Sequence, residues 1–117
     1  MKLTIQTMVP PYTYEDLDTA IKISEAALAK GHEVSLFLFC DSVLAVNSKV
    51  KPIRIDRSIP KKLEELIQKG LDVNICGICM DYRGVTEDMV IEGAKSSGLP
   101  ELAALVANSD RFISLMG

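Results

Sequence analysis

The chain holds three cysteines, and two of them stand three residues apart in "VNICGICMDYRG", residues 73–84. Thiols at this spacing offer two chemistries. As a thiolate, Cys76 can attack sulfur and hold a sulfur atom as a persulfide. With Cys79 it can close a disulfide, because cysteines three apart in a turn bring their α-carbons within roughly 5 to 6 Å. A free thiol ionises near about pH 8.5, and that value falls beside a cation or at a helix N-terminus. Residues 73–76 read as the end of a strand and residues 77–83 as a helical turn or two, whose unpaired amides would face the Cys76 sulfur. Gly77, without a side chain, admits a close approach to that sulfur. On a regular helix Arg83 lies four residues from Cys79 on a common face, and about 10 Å of rise beyond Cys76. Its cation therefore serves Cys79 more directly as an anion stabiliser, and it equally suits the close of a helix before Gly84.

Other candidates surround this segment. Asn74 shares the strand face of Cys76, with Asp72, while Leu71, Val73 and Ile75 point the other way. Tyr12, in the first strand-to-helix loop, is placed to wall the same rim as a binding residue, or to pack locally. Cys40 ends a neighbouring apolar run and reads either as a rim thiol or as a small buried hydrophobe. A zinc site is disfavoured, since structural zinc takes four ligands and only Cys40 and His32 would join the pair. No metal is expected. "MVPPYTYED" has no glycine to bring backbone to a phosphate, which argues against nucleotide binding, although a flavin is not excluded. No resident cofactor is expected beyond sulfur held transiently on a thiol.

Composition narrows the field. The 117 residues, 48% of them hydrophobic, suffice for one core, so a single domain over 1–117 is expected. Thirteen Lys and Arg against sixteen Asp and Glu give a net charge of -3 without a basic block, so direct nucleic-acid binding is not expected. The longest apolar run, residues 34–40, is too short to cross a bilayer, and residues 1–20 lack the order of a signal peptide. A cytoplasmic protein with reduced thiols and no membrane association is the expectation.

The elements that must position the thiols follow from periodicity. Residues 3–8 read as a strand, and Thr13 with the acids after it as the start of a helix. Leu17, Ala20, Ile21, Ser24, Ala27 and Leu28 form its buried stripe, and Gly31 ends it. Residues 34–40, apolar on both faces apart from Ser35, suit a strand buried between helical layers. Residues 42–47 resemble a short helix, and Lys49, Lys51, Arg54 and Arg57 mark a solvated loop or a docking patch for an acidic partner. Pro60 opens a helix with Leu63, Leu66 and Ile67, which stops at Gly70. Thr86, Glu87 and Asp88 are expected to start a helix containing Met89 and Ile91. Pro100 opens a last one with Leu102, Leu105 and Val106, and residues 111–115 form the final strand. Strands alternating with helices specify an α/β layered sheet with right-handed crossovers.

At this level the chain resembles the DsrE and TusD group of sulfur-relay proteins. The matching features are "NIC" ending a strand, "RGV" at residues 83–85, "KGHEVSLFLF" after the first helix and the closing "SDRFISL". The resemblance implies a three-layer α/β/α sandwich with a mainly parallel five-stranded sheet, of flavodoxin- or Rossmann-like layering. It further implies assembly as a homo-trimer or homo-hexamer, or as a hetero-oligomer with sister subunits. Cys76 then stands where the sulfur-transferring members accept sulfane sulfur from a donor protein and yield it to an acceptor, in tRNA thiolation or sulfur metabolism. Cys79 departs from TusD, which has no thiol there, and reads as an added resolving cysteine. Two rival functions remain open: a dithiol-disulfide redox module using Cys76 and Cys79, and an oligomeric assembly subunit without catalysis.

Overall fold

The computed structural model describes residues 1–116. Five strands, β1 (Lys2–Thr7), β2 (Glu33–Leu38), β3 (Asp72–Cys76), β4 (Lys95–Ser97) and β5 (Arg111–Leu115), form one sheet in the order β4-β3-β2-β1-β5. Every pair is parallel. The helices are α1 (Asp16–Ala29), α2 (Ile59–Gln68), α3 (Gly77–Tyr82) and α4 (Leu99–Asn108). From β1 through β2 to β3 the chain steps in one direction, so right-handed crossovers put α1 and α2 on one face. The return from β4 to β5 at the opposite edge puts α4 on the other, completing the α/β/α layering.

Local chemistry explains the elements that form as expected. In α1 the stripe Leu17, Ala20, Ile21 and Ser24 is buried, and Gly31 takes φ 85 after the last turn. The start lies later than Thr13 suggested: the N-cap is Glu15, with no side-chain cap bond. Helix α2 begins with Ser58 accepting from the Lys61 amide and Pro60 in its first turn, and it buries Leu63 and Leu66. Leu3, Ile5, Val34, Leu36, Val73 and Ile75 pack the sheet face towards α1 and α2. On the α4 side, Thr4, Ser35, Asp72, Asn74 and Lys95 line a recess of about 410 Å³ beside Glu101, Leu105 and Asn108.

Three elements differ from expectation. The helix expected from Thr86 is a single 3-10 turn, Glu87–Met89, with Ile91 outside it. Long-range pairing wins there: the Ile91 amide donates to the Val46 carbonyl at 3.0 Å, and Asn47 bridges Val90. Strand β4 has three polar residues and no alternation to announce it; its parallel pairing with β3 makes it a strand. Strand β2 stops at Leu38, and Cys40–Val46 winds into a 3-10 helix. Among the described residues no helix is long and apolar enough to cross a membrane.

Candidate thiol site

Cys76 is at once the last residue of β3 and the N-cap of α3, with φ -64 and ψ 113. That dual position turns its side chain back over the first turn, where its Sγ accepts the Cys79 N–H at 3.4 Å. The residue is 5% exposed. Burial pushes its thiol pKa up, and the neighbouring Cys79 thiol adds to this; the amides of Cys79 and Ile78 pull the other way without reversing it. The amides thus act in the direction the sequence suggested, yet burial outweighs them and the resting thiol holds its proton.

The second thiol is more open. Cys79 is half-buried on α3, and its Sγ accepts the Cys40 N–H at 3.3 Å. Cys40, also half-buried, begins the 3-10 helix after β2 at φ 52, a left-handed conformation rare for a residue with a side chain. Burial raises its pKa first, with the Cys79 thiol adding and the Arg83 cation opposing. The Arg83 Nε donates to Asp41 Oδ1 at 2.6 Å and Nη1 donates to the Cys79 carbonyl at 3.1 Å. This residue is the C-cap of α3, so it closes the helix and charges the Cys79–Cys40 side of the site together. Asp41 in turn raises the Arg83 pKa, fixing the guanidinium as a cation.

Gly77 has a structural task beside the thiol: a Cβ there would lie 2.9 Å from Ser96 Oγ and 3.5 Å from the Ser97 carbonyl, so glycine lets α3 start against β4. Two further candidates sit elsewhere. The Asn74 Nδ2 donates to Asp72 Oδ2 at 2.9 Å, Ser35 Oγ donates to the same oxygen at 3.1 Å, and Lys95 Nζ lies 2.6 Å from Asp72 Oδ1. Tyr12, at φ 71, accepts the Ile59 N–H on its hydroxyl at 3.1 Å and lines a groove with Val50, Pro52, Ile53, Arg54 and Arg57. The fold therefore joins Cys76, Gly77, Cys79 and Arg83, and adds Cys40 and Asp41. A sign of that addition was present in the sequence, since neighbouring parallel strands bring the residues after their carboxyl ends to one rim. Among the described residues no group of three or more His, Cys, Asp or Glu is arranged to hold a metal ion.

The chain has counterparts among known proteins in sequence and in fold. The sequence model of the DsrE/DsrF-like family matches residues 1–115. The chain belongs to the DsrE/DsrF-like family. Its DsrE-like sequence is 32% identical to an uncharacterized protein of Methanocaldococcus jannaschii, over 97% of this chain and 99% of the relative. It is also 32% identical to a protein of Pseudomonas aeruginosa named sulfurtransferase TusD homolog, over 100% of this chain and 98% of the other. The DsrE-like fold is similar to the crystal structure of the ychN protein of Escherichia coli. The TM-score is 0.85 at 28% identity, covering 98% of this chain and 99% of that one. Relatives named as sulfurtransferases tie this DsrE-like family to sulfur relay.

Proposed function

We propose that the chain is a sulfur carrier that holds sulfane sulfur as a persulfide on Cys76, receives it from a donor protein and passes it to an acceptor thiol. The carrying observation is the placement of Cys76 at the carboxyl end of β3 with the Cys79 amide on its sulfur, in a chain related along its length to a named sulfurtransferase. The Cys76 sulfur attacks the outer sulfur of a donor persulfide, and the proton of its resting thiol ends on the departing donor sulfur. The bond between the donor's two sulfurs breaks, and the donor leaves as a thiol carrying that proton. The outer sulfur now stands about 2 Å beyond the Cys76 Sγ. A persulfide is more acidic than the thiol, so its anion gains from the amides of Cys79 and Ile78 where the protonated resting thiol does not. An acceptor thiolate then attacks that outer sulfur and frees Cys76. This chemistry needs no resident cofactor.

Donor and acceptor are proteins in this reading, the setting is the cytoplasm, and the working unit is an oligomer of three or six copies or one with sister subunits. Helix α4 supports association, since none of its residues is buried although most are apolar. The test is to incubate the protein with a persulfide donor and weigh its peptides. The Cys76 peptide gains the mass of one sulfur atom and the Cys76→Ser protein gains none there. A Cys76 peptide that stays unloaded in both wild-type and Cys79→Ser protein, under conditions that load a control carrier, defeats the reading. The second reading, a dithiol catalyst, is favoured by the Cys79 amide 3.4 Å from Cys76 Sγ. Replacing Cys79 by Ser separates the two, because a carrier still loads and a dithiol catalyst stops turning over.

A further inference from the structure

The carrier reading uses Cys76 alone and leaves two half-buried thiols beside it without a task. Their geometry is ordered. Cys79 is the neighbour common to both others: its amide lies 3.4 Å from Cys76 Sγ, and its own Sγ lies 3.3 Å from the Cys40 amide nitrogen. Cys40 adopts φ 52, which aims that N–H at the Cys79 sulfur. A cysteine pays for such a backbone where a glycine would not, and strained conformations of this kind gather at functional sites. Arg83 ties the two segments together through Asp41 Oδ1 and the Cys79 carbonyl, and its charge opposes the burial that disfavours a Cys40 thiolate. The Cys79 Sγ lies against the Cys40 amide and the two thiols also interact through their side chains, so the sulfurs are neighbours.

We propose that Cys79 and Cys40 form a discharge pair that reduces the sulfane sulfur carried by Cys76 and releases it as hydrosulfide, leaving a Cys40–Cys79 disulfide. The inference rests on the carrier reading for its first sulfur. In the first step the Cys79 thiolate attacks the outer sulfur of the Cys76 persulfide; the bond to Cys76 Sγ breaks, Cys76 leaves as a thiolate, and Cys79 now bears the persulfide. The Cys79 proton passes to Cys76. In the second step the Cys40 thiol gives its proton to the outer sulfur and its sulfur attacks Cys79 Sγ; the bond from Cys79 Sγ to the outer sulfur breaks, and that sulfur departs as hydrosulfide with the electron pair. The sulfane sulfur is reduced and two cysteine sulfurs are oxidised to the disulfide, which balances the electrons. An external dithiol reduces the bridge and resets the pair. Cys76 is buried and the pair is more open, so discharge begins at the buried site and ends at the accessible side of the cluster.

The test uses the full chain loaded with inorganic polysulfide, freed of excess reagent and held without thiol or acceptor. Released hydrosulfide is trapped and counted, and disulfides are mapped under non-reducing conditions. Wild-type protein is expected to release close to one hydrosulfide per loaded sulfur and to acquire the Cys40–Cys79 bridge. Cys40→Ser protein is expected to load Cys76 to the same extent and to release at least tenfold more slowly. Cys79→Ser protein is expected to retain the persulfide on Cys76. Release from Cys40→Ser at the wild-type rate, or a Cys76–Cys79 bridge in wild-type protein, overturns the discharge pair while leaving the carrier intact. Absence of loading on Cys76 in every protein overturns the carrier reading, and the discharge pair with it. Bridge mapping on wild-type protein keeps the proposal testable should either variant fold poorly.

Discussion

Arg83 ties together the more accessible side of the thiol cluster. Its cation sits against Asp41 and the carbonyl of Cys79, and it lowers the Cys40 pKa against the upward push of burial. Replacing Arg83 by Met removes that opposition and leaves Asp41 unpaired beside the thiol, so both changes drive the Cys40 pKa further up. Alkylation of Cys40 near neutral pH should then slow, about tenfold for a pKa higher by one, and the midpoint of its pH profile should move to higher pH. A midpoint unchanged by the substitution would show that the guanidinium does not act on the thiol. At this scale the Cys76–Cys79 pair was legible in the sequence because spacing alone fixes it. Cys40 was legible only as one of two readings, a rim thiol or a small buried hydrophobe, because the end of an apolar run places it at the rim without saying whether packing leaves it open. The structure places it half-buried against Cys79. The raised pKa of Cys76 was not legible, since burial is a property of the packed chain that no amide count reveals.

Among the elements, β4 depends on contacts its own sequence does not advertise. Just before it, Gly93 sits at φ 92, and a Cβ there would lie 2.7 Å from Ile67 Cγ2 on α2. Gly93→Ala therefore meets both a left-handed backbone and an overpacked contact, and should destabilise the protein by about 2 kcal/mol, roughly 8 °C in Tm. A thermal melt within about a degree of wild type would show that the loop simply moves aside. On the other flank, Lys95 of β4 pairs with Asp72 of β3. Burial alone would raise the Asp72 carboxyl, but hydrogen bonds from Lys95, Asn74 and Ser35 hold it below its ordinary 3.8. A carboxylate depressed on folding stabilises the protein fully above its unfolded value and loses that contribution as pH falls through the lower folded one. Lys95→Met should accordingly be less stable than wild type near about pH 6, by on the order of 0.5 kcal/mol for so exposed a pair, and the gap should close near about pH 3. Urea melts at the two pH values read this directly, and a gap that widens in acid contradicts the assignment. Helices α1 and α2 and strand β5 could be read from periodicity because each buries a regular face or ends on clear stop signals. The segment from Thr86 to β4 could not, because its turn, bridge and edge strand are set by partners distant in sequence.

At the scale of the whole molecule, α4 is the part whose sequence and surroundings disagree. "LPELAALVAN" is apolar almost all round, the pattern of a helix enclosed on every side, yet none of its residues is buried in the single chain. Leu99 is 60% and Val106 41% exposed, and Phe112 on edge strand β5 is 39% exposed on the same sheet face. In the proposed assembly a second copy of the chain would cover this helix, and closed symmetry would then set a small number of copies. Native mass measurement should give a multiple of 12.8 kDa. Ala103 and Val106 are exposed, so the double variant Ala103→Glu, Val106→Glu should keep the circular dichroism of the fold while placing like charges in the contact. Its association constant should fall at least a hundredfold and its mass to that of one chain. Wild-type protein that stays at one chain's mass at every concentration would overturn the homo-oligomer.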